Sequence, residues 1–157
     1  MIDIRKTFGP SGPFARTLGA YEEREEQVRM AEAIQHACLT KNNLMVEAGT
    51  GVGKSFAYLV PLIDWAVTHE KRVIVSTNTK TLQHQLIDKD LPLLAELLGI
   101  DFNFALCVGS ENYVCHRRLE NRAKAPADSM LKTPGTLKKL VDWGKETKTG
   151  LRSELPF

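Results

Sequence analysis

The chain has 157 residues and a net charge of +2, with 43% hydrophobic and 25% charged residues, which are ordinary values for one globular domain. Its three cysteines form no CxxC pair, which argues against a disulfide framework and for a reducing compartment. The sequence contains neither a signal-peptide pattern nor an apolar run long enough to cross a bilayer. We therefore expect a cytoplasmic protein without a membrane partner.

Local patterns predict helices that alternate with short apolar strands. A turn-rich approach segment covers residues 1–20, and apolar residues at helical spacing then predict a helix from Glu23 to Leu39. The further predicted helices are Lys54–Thr68, Thr79–Leu98 with a break at Pro92, Tyr113–Ala123 and Thr136–Trp143, and the predicted strands are Leu44–Val46, Lys71–Ser76 and Phe102–Val108. Strands separated by helices indicate βαβ units. We therefore expect an α/β fold in which helices flank a parallel sheet.

The strongest motif is the glycine-rich stretch between the first predicted strand and the helix that follows it. It matches the P-loop pattern, with alanine in the first glycine position. Glycines let the backbone turn sharply and bring its N–H groups close to phosphate oxygens, and the following helix directs its positive end at the same anion. The motif predicts ATP binding by Ala48, Gly49, Thr50, Gly51, Val52, Gly53, Lys54 and Ser55. Lys54 and Ser55 are the predicted catalytic residues, because the lysine contacts the β and γ phosphates and the serine hydroxyl ligates Mg²⁺.

The segments around this loop carry a more specific resemblance. Tyr21–Gln27 is an aromatic residue followed by Arg-x-x-Gln, Ser76–Leu86 reads Ser-Thr-Asn-Thr-Lys-Thr-Leu-Gln-His-Gln-Leu, and Val108–Cys115 reads Val-Gly-Ser-Glu-Asn-Tyr-Val-Cys. With Glu47 and Ala48 before the glycines, these segments resemble, in the same order, conserved motifs of the DinG/XPD family of superfamily 2 iron–sulfur DNA helicases. The resemblance implies a RecA-like P-loop NTPase domain.

The resemblance also implies residue roles. Arg24 and Gln27 lie in the adenine-reading segment, where an amide can both donate to and accept from the base. Thr77, Thr79 and Lys80 lie in the motif that contacts the phosphates of single-stranded DNA. From the residues alone, Arg24 and Gln27 fit exposed helix residues better than nucleotide ligands, and the threonines can form an ordinary helix cap.

Cys115 resembles the first of four cysteines that hold a 4Fe–4S cluster. One departure weakens this match, because Ser110 or Glu111 stands where the family has arginine. Cys38 and Cys107 lie in apolar segments and are predicted core residues.

The resemblance predicts a domain organisation and an activity. Residues 1–20 are the approach segment, residues 21–112 the first part of motor domain 1, and residues 113–157 the start of an iron–sulfur insertion. The Asp-Glu-Ala-His box, the other cluster cysteines and the second motor domain are expected after residue 157. We therefore expect the N-terminal part of an ATP-dependent DNA helicase with 5′-to-3′ polarity, acting in repair or replication. By themselves these residues are expected to be inactive and to assemble no cluster.

Two alternatives remain open. A P-loop kinase or small NTP-transferase could be complete at this length, although it would need a second carboxylate or an arginine-rich lid, and the sequence shows neither. A non-catalytic nucleic-acid-binding module could retain the P-loop as a structural anion site. Between Arg117 and Arg152, ten Lys or Arg residues stand against four Asp or Glu, which fits a nucleic-acid partner or a solvated basic face.

Overall fold

The computed structural model describes residues 1–124 and 134–156, which divide into two compact units, Met1–Leu106 and Cys107–Phe157. The α-helices are α1 (Ile4–Phe8), α2 (Pro13–Thr17), α3 (Glu25–Thr40), α4 (Lys54–Thr68), α5 (Lys80–Gln85), α6 (Leu91–Leu98), α7 (His116–Lys124) and α8 (Pro134–Glu146). A π-helical turn spans Leu86–Asp90, and 3₁₀ turns span Ser110–Asn112 and Arg152–Glu154. No helix in these two stretches of the chain is both long and apolar enough to cross a membrane.

The core of the first unit lies between α3 and α4. Val28 of α3 and Val60 of α4 are fully buried there. The two short N-terminal helices add Phe8 and Phe14, also fully buried, from a segment that the sequence predicted only as rich in turns. Because burying a large apolar side chain stabilises a fold by about 1.5–3 kcal/mol, these phenylalanines make residues 1–20 part of the core.

The predicted helices Glu23–Leu39 and Lys54–Thr68 are confirmed. Helix α3 ends where Lys41 takes a left-handed conformation with φ of 56°. The prediction for Thr79–Leu98 was wrong about the break, because the α-helix is interrupted by the π-helical turn and Pro92 lies in the first turn of α6. Proline is tolerated there, since the first N–H groups of a helix have no partner within it.

The three predicted strands are not formed in the part of the chain that the structure describes. Residues 44–46, 71–76 and 102–108 lack regular secondary structure, and the parallel sheet is therefore not confirmed. Met45 is 98% exposed and Ile74 is 91% exposed. An apolar β-branched run indicates a segment that favours a sheet, but a strand also requires a partner for its N–H and C=O groups. That pairing is a long-range contact, which a local pattern does not report.

The second unit is built around the contact between α7 and α8. A side chain added at Gly144 of α8 would meet Leu119 of α7 at 2.7 Å, so the glycine lets the two helices approach closely. An antiparallel bridge joins Tyr113 to Leu151, and the Val114 N–H donates to the Gly150 carbonyl at 2.8 Å. The predicted helices Tyr113–Ala123 and Thr136–Trp143 are confirmed, although α7 begins three residues later than predicted.

Candidate nucleotide-binding site

The glycine-rich loop has the backbone conformation that its sequence predicts. Gly51 and Gly53 both have a φ of +81°, a left-handed conformation that glycine adopts without steric cost. Gly53 is the N-cap of α4, so the loop leads directly into the positive end of a 15-residue helix. A Cβ atom at Gly49 or Gly51 would meet nothing within 4 Å. The loop is therefore open on this side and lies where a helix favours an anion.

Lys54 places its charge over this loop. Its ammonium donates to the Gly49 carbonyl at 2.6 Å and to the Ala48 carbonyl at 3.1 Å, and the residue is exposed. Both acceptors are neutral carbonyl groups. Phosphate oxygens accept more strongly because they carry charge, so an anion in the loop would compete for the same ammonium. Thr50 and Val52 complete the loop between its glycines.

Ser55 is half-buried and lies close to Tyr58, one turn along α4. Burial raises the pKa of Tyr58, and the nearby charge of Asp90 acts in the same direction. Asp90 is only 7% exposed, accepts from the Gln85 side chain at 3.2 Å, and has a pKa raised by burial. The sequence analysis missed Tyr58 and Asp90, since nothing in the local pattern places the π-helical turn beside α4.

The described residues include no group of three His, Cys, Asp or Glu that could hold a metal ion. The Ser55 hydroxyl fits Mg²⁺ in one respect, because this ion is commonly held by one or two protein oxygens together with phosphate and water. The protein ligand predicted for Mg²⁺ is thus the single hydroxyl of Ser55.

Arg24 and Gln27 lie at the beginning of α3 and reach the phosphate loop. The Arg24 guanidinium donates to the Gly51 carbonyl, and the Gln27 amide donates to the Gly53 carbonyl at 2.9 Å. Gln27 is 4% exposed, so it is not the exposed helix residue that the local pattern allowed. The structure therefore brings the predicted adenine-reading residues onto the loop backbone, while contact with the base remains a prediction.

The three predicted DNA-binding residues lie together at the beginning of α5. Thr79 caps this helix, accepting from the Leu82 N–H at 3.3 Å, and the Thr77 hydroxyl donates to the Thr79 carbonyl at 3.3 Å. Lys80 is exposed and is the first residue of the helix. Thr79 therefore forms the helix cap that the sequence allowed as an alternative. Phosphate contact by Thr77, Thr79 and Lys80 remains a prediction.

The cysteines do not form a cluster site among the described residues. Cys115 is exposed just before α7. The prediction that Cys107 is a core residue is wrong, because it is exposed, and Cys38 is half-buried with a pKa raised by burial. A 4Fe–4S cluster requires four protein ligands. The thiols of this chain do not fit that requirement, and Cys115 can supply at most one of the four.

Comparison with known proteins identifies the family. Residues 28–154 match the family model described as DEAD/DEAH box helicase. The chain belongs to the DEAD/DEAH box helicase family. Within that family it carries the P-loop NTPase signature at residues 48–55, which links the match to the loop geometry. Residues 1–27, including Arg24 and Gln27, lie outside the matched range.

Several relatives of this DEAD/DEAH box chain carry helicase names. It is 39% identical over 143 residues to the ATP-dependent DNA helicase YoaA of Escherichia coli (strain K12), covering 91% of the chain and 22% of that relative. It is 37% identical over 155 residues to the ATP-dependent helicase DinG of Mycobacterium tuberculosis (strain H37Rv), covering 88% of the chain and 23% of the relative. The resemblance to DinG-type helicases is thereby confirmed.

A third relative has a different name. The chain is 30% identical over 147 residues to the 3′-5′ exonuclease DinG of Bacillus subtilis (strain 168), covering 94% of the chain and 16% of that protein. The chain therefore spans about a fifth of the length of the curated relatives it matches. Similarity at this coverage describes the shared segment and not the remaining four-fifths of those proteins.

Proposed function

We propose that this chain supplies the ATP-binding part of an ATP-dependent DNA helicase motor of the DinG/XPD type. The observation that carries the proposal is the phosphate loop, in which two glycines with left-handed φ lead into α4 and Lys54 lies over the loop carbonyls. A family match over residues 28–154 supports a helicase over the kinase, transferase and non-catalytic alternatives.

In this proposal the loop residues act on the triphosphate by binding and orienting it. The N–H groups of residues 49–55 surround the β-phosphate, and Lys54 exchanges its carbonyl acceptors for β- and γ-phosphate oxygens. Ser55 would hold Mg²⁺ through its hydroxyl. The metal, when bound, neutralises charge that develops on the phosphates. Arg24 and Gln27, which donate to the loop carbonyls in the structure, would exchange these acceptors for the nucleotide, with Gln27 assigned to the adenine.

Other parts of the proposal rest on the resemblance to DinG-type helicases. Single-stranded DNA is the proposed partner of Thr77, Thr79 and Lys80, and Cys115 is the proposed first ligand of an iron–sulfur cluster in the whole protein. The proposed organisation is an approach segment at 1–20, motor domain 1 from 21–112 and a cluster insertion from 113 onward. A parallel sheet, 5′-to-3′ polarity, a role in repair or replication and a cytoplasmic location belong to the same proposal.

Equilibrium binding of ATP in the presence of Mg²⁺ tests the role of Lys54. Replacing Lys54 with alanine should raise the dissociation constant roughly 10- to 100-fold, because a hydrogen bond to a charged group contributes about 1.5–3 kcal/mol. Lys71→Ala is the matched control, since Lys71 is an exposed lysine just beyond the other end of α4, about 22 Å along the helix axis. Equal dissociation constants for wild type and Lys54→Ala would refute the proposed role of the loop.

A further inference from the structure

Residues 1–20 pack against residues that adjoin both sequence segments of the candidate nucleotide site. Phe14 of α2 is fully buried, and its ring lies 5.2 Å from that of Phe56 in the first turn of α4, directly after Ser55. The same ring lies 5.8 Å from Tyr21, which precedes Arg24. One side chain of the N-terminal segment thus packs against aromatic residues next to the loop and next to the beginning of α3.

A second connection is electrostatic. Arg5 of α1 forms an ion pair with Glu32 at 2.7 Å and another with Glu25 at 3.2 Å. Glu25 is the first residue of α3, immediately after Arg24. Arg24 and Gln27 of the same helix turn donate to the carbonyls of the phosphate loop. Arg5 therefore contacts the turn of α3 that is hydrogen-bonded to the loop.

The Tyr21 hydroxyl completes this arrangement by donating to the Phe8 carbonyl at 2.7 Å. Tyr21 is thereby fixed to the end of α1 as well as packed against α2. The connection between α2 and α3 is therefore attached to both N-terminal helices through Tyr21, three positions before Arg24. Packing, an ion-pair network and a hydrogen bond thus join the N-terminal segment to residues 21–32 and to Phe56 of α4.

We propose that α1 and α2 form a brace that positions the phosphate loop, with Phe14 and Arg5 as positioning residues that never touch the nucleotide. The purpose of the brace rests on the proposed ATP-binding function, whereas its mechanical effect on the loop does not. Residues 1–20 lie before the first residue matched by the family model. The brace therefore consists of residues outside the range that the family model matches.

Hydrogen exchange of the Ala57 backbone amide in the whole 157-residue chain tests the brace directly, because this amide donates to the Gly53 carbonyl of the loop at 3.2 Å. Arg5→Gln removes both ion pairs of an exposed side chain and should speed exchange of this amide roughly two- to five-fold, as expected for weak surface pairs acting together. Lys6→Gln is the matched control. It removes the same charge from the next residue of α1, whose ion pair at 3.6 Å is with Asp3 of its own turn.

Phe14→Leu supplies the test of the packing route. It should speed exchange of the Ala57 amide roughly ten-fold or more, since the ring that packs against Phe56 is removed. Ile63→Val serves as its control, because Ile63 is a buried residue of α4 two turns further from the loop. Thermal unfolding of every variant separates a local effect from a general decrease in stability.

Acceleration at the Ala57 amide that exceeds any change in the other helices, in Arg5→Gln and Phe14→Leu but not in their controls, supports the brace. Unchanged exchange, or acceleration spread over all helices in proportion to the decrease in stability, overturns it. The measurement uses no nucleotide. If the brace variants change exchange but Lys54→Ala leaves ATP binding unchanged, the proposed function alone is refuted. If Lys54→Ala weakens ATP binding but the brace variants leave exchange unchanged, the brace alone is refuted.

Discussion

Gly53 is the residue whose identity the loop constrains most. Its φ of +81° disfavours any side chain, and a Cβ atom at this position would collide with the Gln27 amide that donates to its own carbonyl. Gly49, in contrast, has no left-handed φ and has open space where a Cβ atom would lie. Two glycines of the same motif thus have different structural requirements.

Alanine substitution should distinguish these two glycines. Gly53→Ala is expected to lower the free energy of unfolding by about 1–2 kcal/mol from the left-handed conformation alone, with a further decrease from the displaced Gln27. Gly49→Ala should change it by less than about 0.5 kcal/mol. Urea denaturation followed by circular dichroism measures both. Equal decreases for the two variants would show that the Gln27 hydrogen bond and the φ of Gly53 have little importance.

At the scale of elements, helices and predicted strands behave differently. Helix α4 begins and ends at the predicted residues because its hydrogen bonds are local and its apolar face packs against α3. The apolar segments 44–46 and 71–76 have no hydrogen-bonded partner strand among the described residues, and Met45 and Ile74 are almost fully exposed. Unpaired apolar segments of this kind promote association between chains.

Ile74→Lys should therefore reduce self-association of the chain. A charge on an unpaired apolar segment disfavours pairing with another copy and removes little native packing, since the isoleucine is 91% exposed. Sedimentation velocity over a concentration series measures the change. Val67→Lys, which places the same charge on a 42% exposed residue of α4, should have a smaller effect. Similar behaviour of both variants would indicate that added charge alone is responsible.

At the scale of the whole molecule, the small net charge conceals an uneven distribution. The charge of +2 for the chain contrasts with ten basic and four acidic residues between Arg117 and Arg152. In the second unit, Arg117 and Arg118 are exposed near the beginning of α7. An exposed basic region attracts a polyanion at long range, and this attraction depends on salt.

Binding of single-stranded DNA should accordingly weaken as salt concentration rises. Replacing Arg117 and Arg118 together with glutamine should reduce the slope of log K against log salt by about 1.4, or about 0.7 for each phosphate that the protein no longer neutralises. Fluorescence anisotropy with a labelled oligonucleotide measures this slope. The double variant Arg16→Gln and Lys71→Gln removes the same charge from the first unit and should leave the slope nearly unchanged. Identical slopes in both variants would assign the attraction to net charge.

Motifs and local periodicity were sufficient to predict the phosphate loop, the positions of α3 and α4 and the helicase family. Each of these depends on residues close together in sequence. A glycine-rich turn before a helix needs only its own backbone freedom, and an amphipathic helix needs only its own apolar spacing. The same locality explains why the predicted end of α4 at Thr68 agrees with the structure.

Tertiary structure alone decided which distant residues meet. It placed Gln27 on Gly53, 26 positions away, packed Phe14 against Phe56, and left Ile74 exposed without a strand partner among the described residues. These outcomes depend on how whole helices pack and on whether a second strand lies close enough to form hydrogen bonds. Such contacts join residues that no local pattern relates, because side-chain packing and strand pairing are properties of the folded chain.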